Sequence, residues 1–363
     1  MARQLTALLI FFVMAAPSAF AQDKGGGGGK PPDGGGSSGK MPRDTGGNNG
    51  GNNGGNNGGN NGKAEEQPGP TWKPTLNDSV TAATATEKYI LYYVYPPTEL
   101  ADPLAFKIKD IVEASTGNWV FTKRPLAKDD AELKELKVTT APTIIGMDKF
   151  GNEFKRTTTM SSPAILSILK TTPEAVVKFK SELAAKWKDA KETSDEAKAL
   201  RLLVEICTMG KKGYPEIEDS FAKVKEYGEK RLKSIEALFT SDEPAAVKAL
   251  QQMLTDFKGT PPACDAEIWM AKREREAKLA SAITRLLKVM AKDDKHFKDQ
   301  ADAARALLDE IVADGLLRVD AAQKAAAGGE IDAAKSSLRK LIETYKGTDV
   351  AKKASEALKS MEQ

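Results

Sequence analysis

We predict from the sequence an α/β domain over residues 75–172 followed by an all-α domain over residues 173–363. The first observation is the continuous apolar run Tyr89–Tyr95, which is typical of a strand that is buried on both faces. The second is the alternation of further short apolar runs with segments of helical periodicity up to about residue 172. The third is that apolar residues recur only at helical spacing beyond Pro173.

Within the α/β domain the elements follow the order strand, helix, strand, helix, strand, strand, helix. After the strand Tyr89–Tyr95, the apolar runs predict strands at Trp119–Thr122, Thr143–Met147 and Glu153–Thr157. Helices are predicted through Leu104, Ile108, Ile111 and Val112, over Asp129–Leu136, and from Ser162 onward. At the last of these, serine is a favoured cap and Pro163 occupies the first helical position.

The all-α domain contains six apolar stripes, and each stripe needs a partner helix to cover it. The stripes begin at Val176, Leu200, Ile217, Leu279, Ala304 and Ile331. The opposite faces carry Lys, Glu and Asp, so these helices are solvated on one side. A helical bundle and a helical array both fit this pattern.

The N-terminus has the features of an export signal over residues 1–21. Arg3 is followed by the apolar run Leu5–Ala16, which is too short to span a bilayer, and by the small-x-small cleavage pattern Ala19–Ala21. We therefore expect a mature chain that begins at Gln22, is periplasmic or extracellular, and is not inserted in a membrane after cleavage.

Residues 22–74 are predicted to be a disordered linker. The segment contains Gly25–Gly29 and a Gly-Gly-Asn-Asn repeat over Gly46–Gly62. Glycine has high backbone entropy and asparagine offers no apolar surface, so nothing offsets the cost of ordering. A flexible tether, a cell-wall or matrix spacer and an aggregation-prone asparagine tract are the alternatives, and the interleaved glycines argue against the last.

Charge and composition argue against several classes of function. With 54 basic and 51 acidic residues the net charge is +3, which gives no general attraction to nucleic acid. His296 is the single histidine, so zinc sites that need two histidines are excluded and a catalytic triad would have to use this one. Gly25–Gly29 lacks the Gly-Lys-Ser/Thr of a phosphate-binding loop. We expect no metal, no cofactor and no enzymatic activity.

The segment Val138–Gly151 resembles the second half of a thioredoxin fold. In that family a valine is followed by a cis-proline and threonine, then by a strand, an acidic turn and a glycine. The resemblance covers Lys88–Lys170 and implies a thioredoxin-like domain with a cis Ala141–Pro142 bond.

The resemblance also shows what the chain lacks. Thioredoxin chemistry uses two cysteines at the start of the first helix, where the helix N-terminus lowers the thiol pKa. The corresponding segment here, Tyr95–Asp102, contains no cysteine. The departure implies a redox-inactive member of the fold, in which Thr98 or Asp102 is left to cap the helix. A thiol-disulfide oxidoreductase or chaperone-like enzyme is the competing interpretation.

A second implication of the resemblance is a binding surface beside the cis-proline. In thioredoxin-like proteins the backbone there accepts an extended peptide by strand-like hydrogen bonds. The residues that would form it here are Thr140, Ala141 and Pro142, with Tyr93, Tyr95 and Pro97 nearby. The alternative is that Pro142 only shapes a turn and the tyrosines only fill the core.

The two cysteines, Cys207 and Cys264, leave two alternatives open. Cys207 lies on the apolar stripe of its helix, as a buried inert thiol would, whereas Cys264 follows a loop rich in glycine and proline. An exported chain permits a disulfide between them.

The C-terminal stretch Ala325–Ala334, continuing to Tyr345–Ala351, is similar to a tetratricopeptide helical hairpin. That family places glycine between helices and alanines at close contacts, and its arrays present concave surfaces to peptides or partner proteins. The sequence therefore favours an exported protein- or peptide-binding scaffold, with a structural component of the cell envelope as a further alternative.

Overall fold

The computed structural model describes residues 69–99, 101–292 and 294–362. The predicted signal peptide and the predicted linker up to residue 68 lie outside the described residues. A small mixed sheet with flanking helices is followed by a helical array. The strands are β1 Trp72–Lys73, β2 Tyr89–Tyr95, β3 Trp119–Pro125, β4 Thr143–Met147 and β5 Glu153–Thr157. The helices of the sheet region are α1 Leu76–Thr86, α2 Lys109–Thr116 and α3 Ala131–Glu135, with a 3-10 turn at Leu104–Phe106.

Nine helices of the described chain follow the sheet, together with a 3-10 turn at Lys295–Phe297. They are α4 Ser162–Glu192, α5 Glu196–Cys207, α6 Pro215–Ser241, α7 Glu243–Asp256, α8 Pro261–Glu274, α9 Leu279–Met290, α10 Lys298–Ala327, α11 Ile331–Thr344 and α12 Asp349–Ser360. Within the described ranges, no helix is both long enough and apolar enough to cross a membrane.

The sheet has the strand order β1-β3-β2-β4-β5, with β1, β2 and β3 mutually parallel and β4 and β5 antiparallel to their neighbours. The central strand β2 is covered on both faces. Leu91 and Tyr93 pack into one core beneath α2 and α4, while Ile90, Tyr92 and Val94 pack into the other beside α1 and α3. This two-sided burial explains why the run from Tyr89 to Tyr95 is apolar throughout instead of alternating.

Two elements at the start of the sheet region differ from the sequence prediction. The edge strand β1 lies inside the predicted linker, and α1 had no counterpart in the prediction. Trp72 holds the edge strand in place by packing against Phe106 and Phe121, at ring centroid distances of 5.0 and 5.7 Å. Thr75 caps α1 by accepting a hydrogen bond from the N–H of Asp78. The folded part therefore begins before residue 75.

The helix predicted through Leu104 and Val112 is split in two. A 3-10 turn at Leu104–Phe106 is separated from α2 by Ile108, which has extended backbone and stands at the N-cap position of α2. Phe106 is fully buried, whereas Leu104 is 77% exposed and does not belong to an apolar stripe. The split therefore turns Phe106 toward the core and leaves Leu104 in solvent.

The predicted domain boundary at residue 173 falls inside a single helix. α4 runs without interruption from the sheet region into the array, although Pro173 lacks the N–H that would bond to the carbonyl of Leu169. Burial on both sides of the proline holds the helix together, since Leu169 packs in the sheet core and Val176 is 1% exposed. The two regions share this helix instead of being joined by a loop.

The nine helices form an open array and not a closed bundle. Each helix from α4 to α12 packs against the next helix in the chain, and α6, α8, α10 and α12 also contact one another in series. This stacking leaves successive hydrophobic clusters along the array, with one centred on α5–α8 and another on α8–α12.

The array contains an internal repeat, in which α9–α12 repeat the features of α5–α8. The turn Phe257–Thr260 before α8 and the turn Tyr345–Thr348 before α12 have the same structure. In each turn the buried threonine hydroxyl donates to the carbonyl of the aromatic residue, at 2.6 and 2.7 Å, and the glycine has a φ of +83° or +86°. We call α5–α8 the first repeat and α9–α12 the second.

The long helix of each repeat carries a buried glycine at the same place. Gly228 of α6 faces Pro262 at the start of α8, and a Cβ there would lie 2.3 Å from the proline ring. Gly315 of α10 faces Tyr345 and Val350, and a Cβ there would lie 2.5 Å from the tyrosine ring. In both repeats the glycine lets the long helix approach the turn closely.

A buried polar cluster fixes the sheet region to the array, and we call it the latch. The carboxylate of Asp148 is 1% exposed and accepts hydrogen bonds from the backbone N–H groups of Phe150 and Asn152, the amide of Asn152 and the hydroxyl of Tyr214. The Asn152 side chain also bonds both backbone groups of Lys212, at 2.9 and 2.7 Å. Because Asp148 bonds to Tyr214 and Asn152 bonds to Lys212, the latch ties β4–β5 to the loop before α6.

Candidate functional site

The residues that the sequence predicted as a binding surface lie at one end of the central strand β2. The pairing of Val94 with Thr143 is the last in the β2–β4 ladder, so Tyr95 lies next to Pro142. Pro97 follows Tyr95 in a surface turn and is exposed. The structure thus brings Tyr95, Pro97 and Pro142 to a common edge of the sheet.

The segment before β4 presents its backbone at this edge. The Ala141–Pro142 peptide bond is cis, as the resemblance implied. Thr140 is exposed, Ala141 and Pro142 are half-buried, and the carbonyl of Thr140 accepts a hydrogen bond of 2.6 Å from the Thr143 hydroxyl. The backbone N–H and C=O of Ala141 have no hydrogen-bond partner among the described residues. We call Thr140–Pro142 the open edge.

The turn after β2 occupies the place where the resemblance puts a redox motif. The N–H of Glu99 donates to the carbonyl of Pro96 at 2.9 Å, which closes a tight turn. The Tyr93 hydroxyl donates to both carboxylate oxygens of Glu99, at 2.8 and 2.9 Å. Burial raises the pKa of the Tyr93 phenol, and the bond to Glu99 raises it further. Tyr93 is therefore a neutral donor that holds the turn, and it is a core residue and not part of the surface.

Asp102 holds the next part of this loop. Its carboxylate accepts a hydrogen bond of 2.9 Å from the Trp72 indole and pairs with the Lys123 ammonium at 2.6 Å. The expectation that Thr98 or Asp102 caps the first helix was wrong, because a 3-10 turn with Pro103 in the cap position follows and Ile108 precedes α2. Asp102 instead links the loop to β1 and β3.

Sequence reasoning missed Glu99 and Asp102 as residues that shape this edge. Both are acidic residues in a proline-rich loop, and their partners come from three different strands. The carboxylates bond to Tyr93, Trp72 and Lys123, whereas the backbone of Ala141 has no partner among the described residues. The tyrosine and tryptophan residues of the strands could have indicated these carboxylates, since a buried tyrosine hydroxyl or indole N–H needs a hydrogen-bond partner.

The two cysteines are free, buried thiols in the structure. Cys207 packs in the cluster centred on α5–α8, and Cys264 packs in the cluster that extends to α12. Burial raises the pKa of Cys207 to about 12 and that of Cys264 to about 11. Neither thiol lies in the open edge, and both are poor nucleophiles at neutral pH.

His296 packs against α6 of the array. Its ring stacks on Phe221 of α6 with a centroid distance of 3.8 Å and an interplanar angle of 6°, and its Nε2 lies 3.5 Å from Glu218. The described residues show no serine or cysteine bonded to this imidazole. The contacts indicate that His296 joins the turn before α10 to α6.

Comparisons with known proteins give little for this chain. No family model matches it, and no curated protein matches it. Among solved structures, a DsbH oxidoreductase is similar to it with 12% identity and a TM-score of 0.23, over 30% of this chain and 86% of that one. Similarity at this level carries no inference about activity.

Proposed function

We propose that this chain is an exported, non-catalytic peptide-binding protein, with a redox-inactive thioredoxin-like unit placed on a helical scaffold. The observation that carries the proposal is the open edge. There the N–H and C=O of Ala141 lack partners within the described chain and stand half-exposed next to a paired strand. Such backbone groups hydrogen-bond an extended peptide.

The thioredoxin-like assignment rests on the sequence segment Val138–Gly151 together with the sheet. The segment forms the loop before β4, then β4 itself and the turn to β5. The strand order β1-β3-β2-β4-β5, in which β4 alone runs antiparallel to the other four strands, is compatible with that fold. Fold alone does not fix function, so the proposal depends on the open edge and not on the family.

The side chains around the open edge suit a peptide of limited polarity. Tyr95 and Pro142 are half-buried, and Pro97 and Thr140 are exposed, so a bound segment would contact aromatic and proline surface while its backbone pairs with Ala141. Backbone pairing of this kind gives affinity, and alternate side chains of the peptide give selectivity.

A matched pair of variants tests this proposal. Extended peptides are selected from a random display library on the wild-type chain and then titrated against Ala141→Pro and Ala141→Ser by fluorescence anisotropy. The proline variant removes one N–H donor from a residue whose backbone is already restricted by Pro142, and the serine variant keeps it. We expect the proline variant to lose about tenfold in affinity, the equivalent of one hydrogen bond, while the serine variant stays within about twofold. Equal affinities for all three chains would exclude backbone pairing at Ala141.

The competing oxidoreductase is tested separately by insulin reduction. The segment Tyr95–Asp102 contains no cysteine, and Cys207 and Cys264 are buried away from the open edge. We expect the chain to leave the rate of insulin reduction by dithiothreitol unchanged. Acceleration comparable to that by a true thioredoxin would favour the enzyme and contradict the proposal.

The proposed export rests on the sequence of residues 1–21 alone. In cells that secrete the chain, mass spectrometry of the purified protein should give a mature N-terminus at Gln22. A protein recovered from the cytosol with Met1 or Ala2 at its N-terminus would contradict this part of the proposal.

A further inference from the structure

A cleft of about 950 Å³ opens in the second repeat, between α10, α11 and the turn before α9. Alanines of α10 and α11 line much of it, namely Ala321, Ala322, Ala325, Ala333 and Ala334. Its charged lining residues are Arg318, Lys340, Lys278, Glu276 and Glu330. Because the alanine side chains are short, the helices leave open space between them.

Tyr345 also lines this cleft, and its hydroxyl is an unpaired polar group. The residue is 1% exposed, and its hydroxyl oxygen has no hydrogen-bond partner among the described residues. A buried hydroxyl without a partner is costly, and most buried tyrosines have one. The cleft is therefore missing a hydrogen-bond partner at this point.

The first repeat contains the same arrangement with its own internal anion. Arg231 lies three residues after Gly228, and its guanidinium pairs with the carboxylate of Asp256 at the end of α7. Gln252 donates a hydrogen bond of 2.7 Å to the same carboxylate. The next residue, Phe257, has no hydroxyl to satisfy.

The second repeat has an arginine that corresponds to Arg231, but it has no carboxylate at the place of Asp256. Arg318 lies three residues after Gly315, but Thr344 takes the place of the aspartate and Lys340 takes the place of the glutamine. Arg318 pairs with Asp314 of its own helix at 2.7 Å, and the structure records no carboxylate of α11 on it within the described ranges. Arg318, Lys340 and Tyr345 therefore line the cleft together with Thr344, the residue that takes the place of Asp256.

We propose that this cleft binds a ligand through a carboxylate. Arg318 and Lys340 would contact the carboxylate, the Tyr345 hydroxyl would donate a hydrogen bond to it, and the alanine floor would accommodate the apolar remainder of the ligand. The site lies in the helical array, so the inference goes beyond the peptide binding proposed for the open edge and does not depend on it.

Calorimetric titration of the purified full chain tests the proposal with three probes. Glutarate represents a free carboxylic acid, a blocked glutamate-containing peptide represents a protein-borne carboxylate, and the matching glutamine peptide is the uncharged control. We expect one of the carboxylate probes to bind and the glutamine peptide to bind at least about tenfold more weakly, because a charge-assisted hydrogen bond is lost. Failure of both carboxylate probes to bind would overturn the proposal.

Three variants then locate the site. Thr344→Asp introduces the anion of the first repeat, so it should abolish binding, while Thr284→Asp adds the same charge on exposed α9 outside the cleft and should not. Tyr345→Phe introduces the aromatic residue of the first repeat and should weaken binding about tenfold without lowering the melting temperature, since the hydroxyl it removes has no partner among the described residues. Binding that survives both cleft variants would place the carboxylate elsewhere and contradict the proposal.

Discussion

At the scale of single residues, the carboxylate of Asp148 links the sheet region to the array. It is buried, and it accepts hydrogen bonds from Phe150 and Asn152 in the turn between β4 and β5 and from Tyr214 of the array. Burial also raises the pKa of the Tyr214 phenol, so this group stays a neutral donor across the physiological range. An anion placed here depends on all its donors, because removing one leaves a buried charge partly unpaired.

Removing one donor of the latch gives a direct prediction. Tyr214→Phe should lower the free energy of unfolding by about 1.5–3 kcal/mol, the range for a hydrogen bond to a charged group. Urea denaturation followed by circular dichroism measures it. Tyr227→Phe is the matched control, since Tyr227 is half-buried and makes no hydrogen bond among those described. Equal midpoints for the two variants would mean that the latch contributes nothing to stability.

The cysteines give a second prediction at this scale. With pKa values of about 12 and about 11, Cys207 and Cys264 hold little thiolate at pH 8 in the folded chain. A thiol reagent such as Ellman's reagent should therefore react with the native chain more than about a hundredfold more slowly than with the unfolded chain. In guanidinium without reductant, both thiols should titrate. Detection of thiols only after a reductant is added would instead indicate a disulfide.

At the scale of elements, sequence reasoning found what local patterns specify and missed what distant contacts specify. Strands β2, β4 and β5 were predicted with the bounds observed, because each is an apolar or alternating run between turn residues. Strand β1 has two residues, and its position comes from Trp72 packing on Phe106 and Phe121, which no local pattern encodes. The sheet edge was predicted from the segment around Pro142. The roles of Glu99 and Asp102 were not predicted, because their partners Tyr93, Trp72 and Lys123 lie on other elements.

Substitution of Gly315 in the second repeat tests the close approach of α10 to the turn before α12. Gly315→Ala places a Cβ 2.5 Å from the Tyr345 ring and 2.8 Å from Val350, so a neighbour must move. Overpacking costs about 1–3 kcal/mol and the gain in helix propensity offsets about 1 kcal/mol of it, so we expect a net loss of up to about 2 kcal/mol in the free energy of unfolding. Thermal denaturation measures it. Gly328→Ala, at the end of the same helix, meets no side chain and serves as the control, and an equally stable Gly315→Ala would contradict the packing described.

Replacing the proline inside α4 should instead increase the stability of the chain. Pro173→Ala restores the backbone donor to the carbonyl of Leu169 and should raise the free energy of unfolding by about 1–3 kcal/mol. Pro163→Ala is the control, because a proline in the first turn of a helix removes no helical hydrogen bond. A lower stability of Pro173→Ala, measured by urea denaturation, would mean that the proline shapes α4 in a way that the helix requires.

At the scale of the whole molecule, a sheet region with an open edge is fixed to a helical array through a shared helix and the latch. Within the described chain, the two regions are connected by the continuous helix α4 and by the hydrogen bonds of Asn152 with Lys212, and not by a flexible linker. The array contains two copies of one four-helix arrangement. They differ at the residue before the aromatic turn residue, which is Asp256 in the first repeat and Thr344 in the second. The two proposed binding surfaces, one for a peptide backbone and one for a carboxylate, therefore lie on one continuous support.

The central claim is that the backbone of Ala141 binds a peptide without thiol chemistry, and amide hydrogen exchange tests it most directly. The N–H of Ala141 has no partner within the described chain, so it should exchange rapidly in the free protein. On addition of a selected peptide, we predict that this amide becomes protected by at least about tenfold, in line with a newly formed hydrogen bond. An Ala141 amide that exchanges at the same rate with saturating peptide, or a mixed disulfide between the peptide and the chain, would contradict the account.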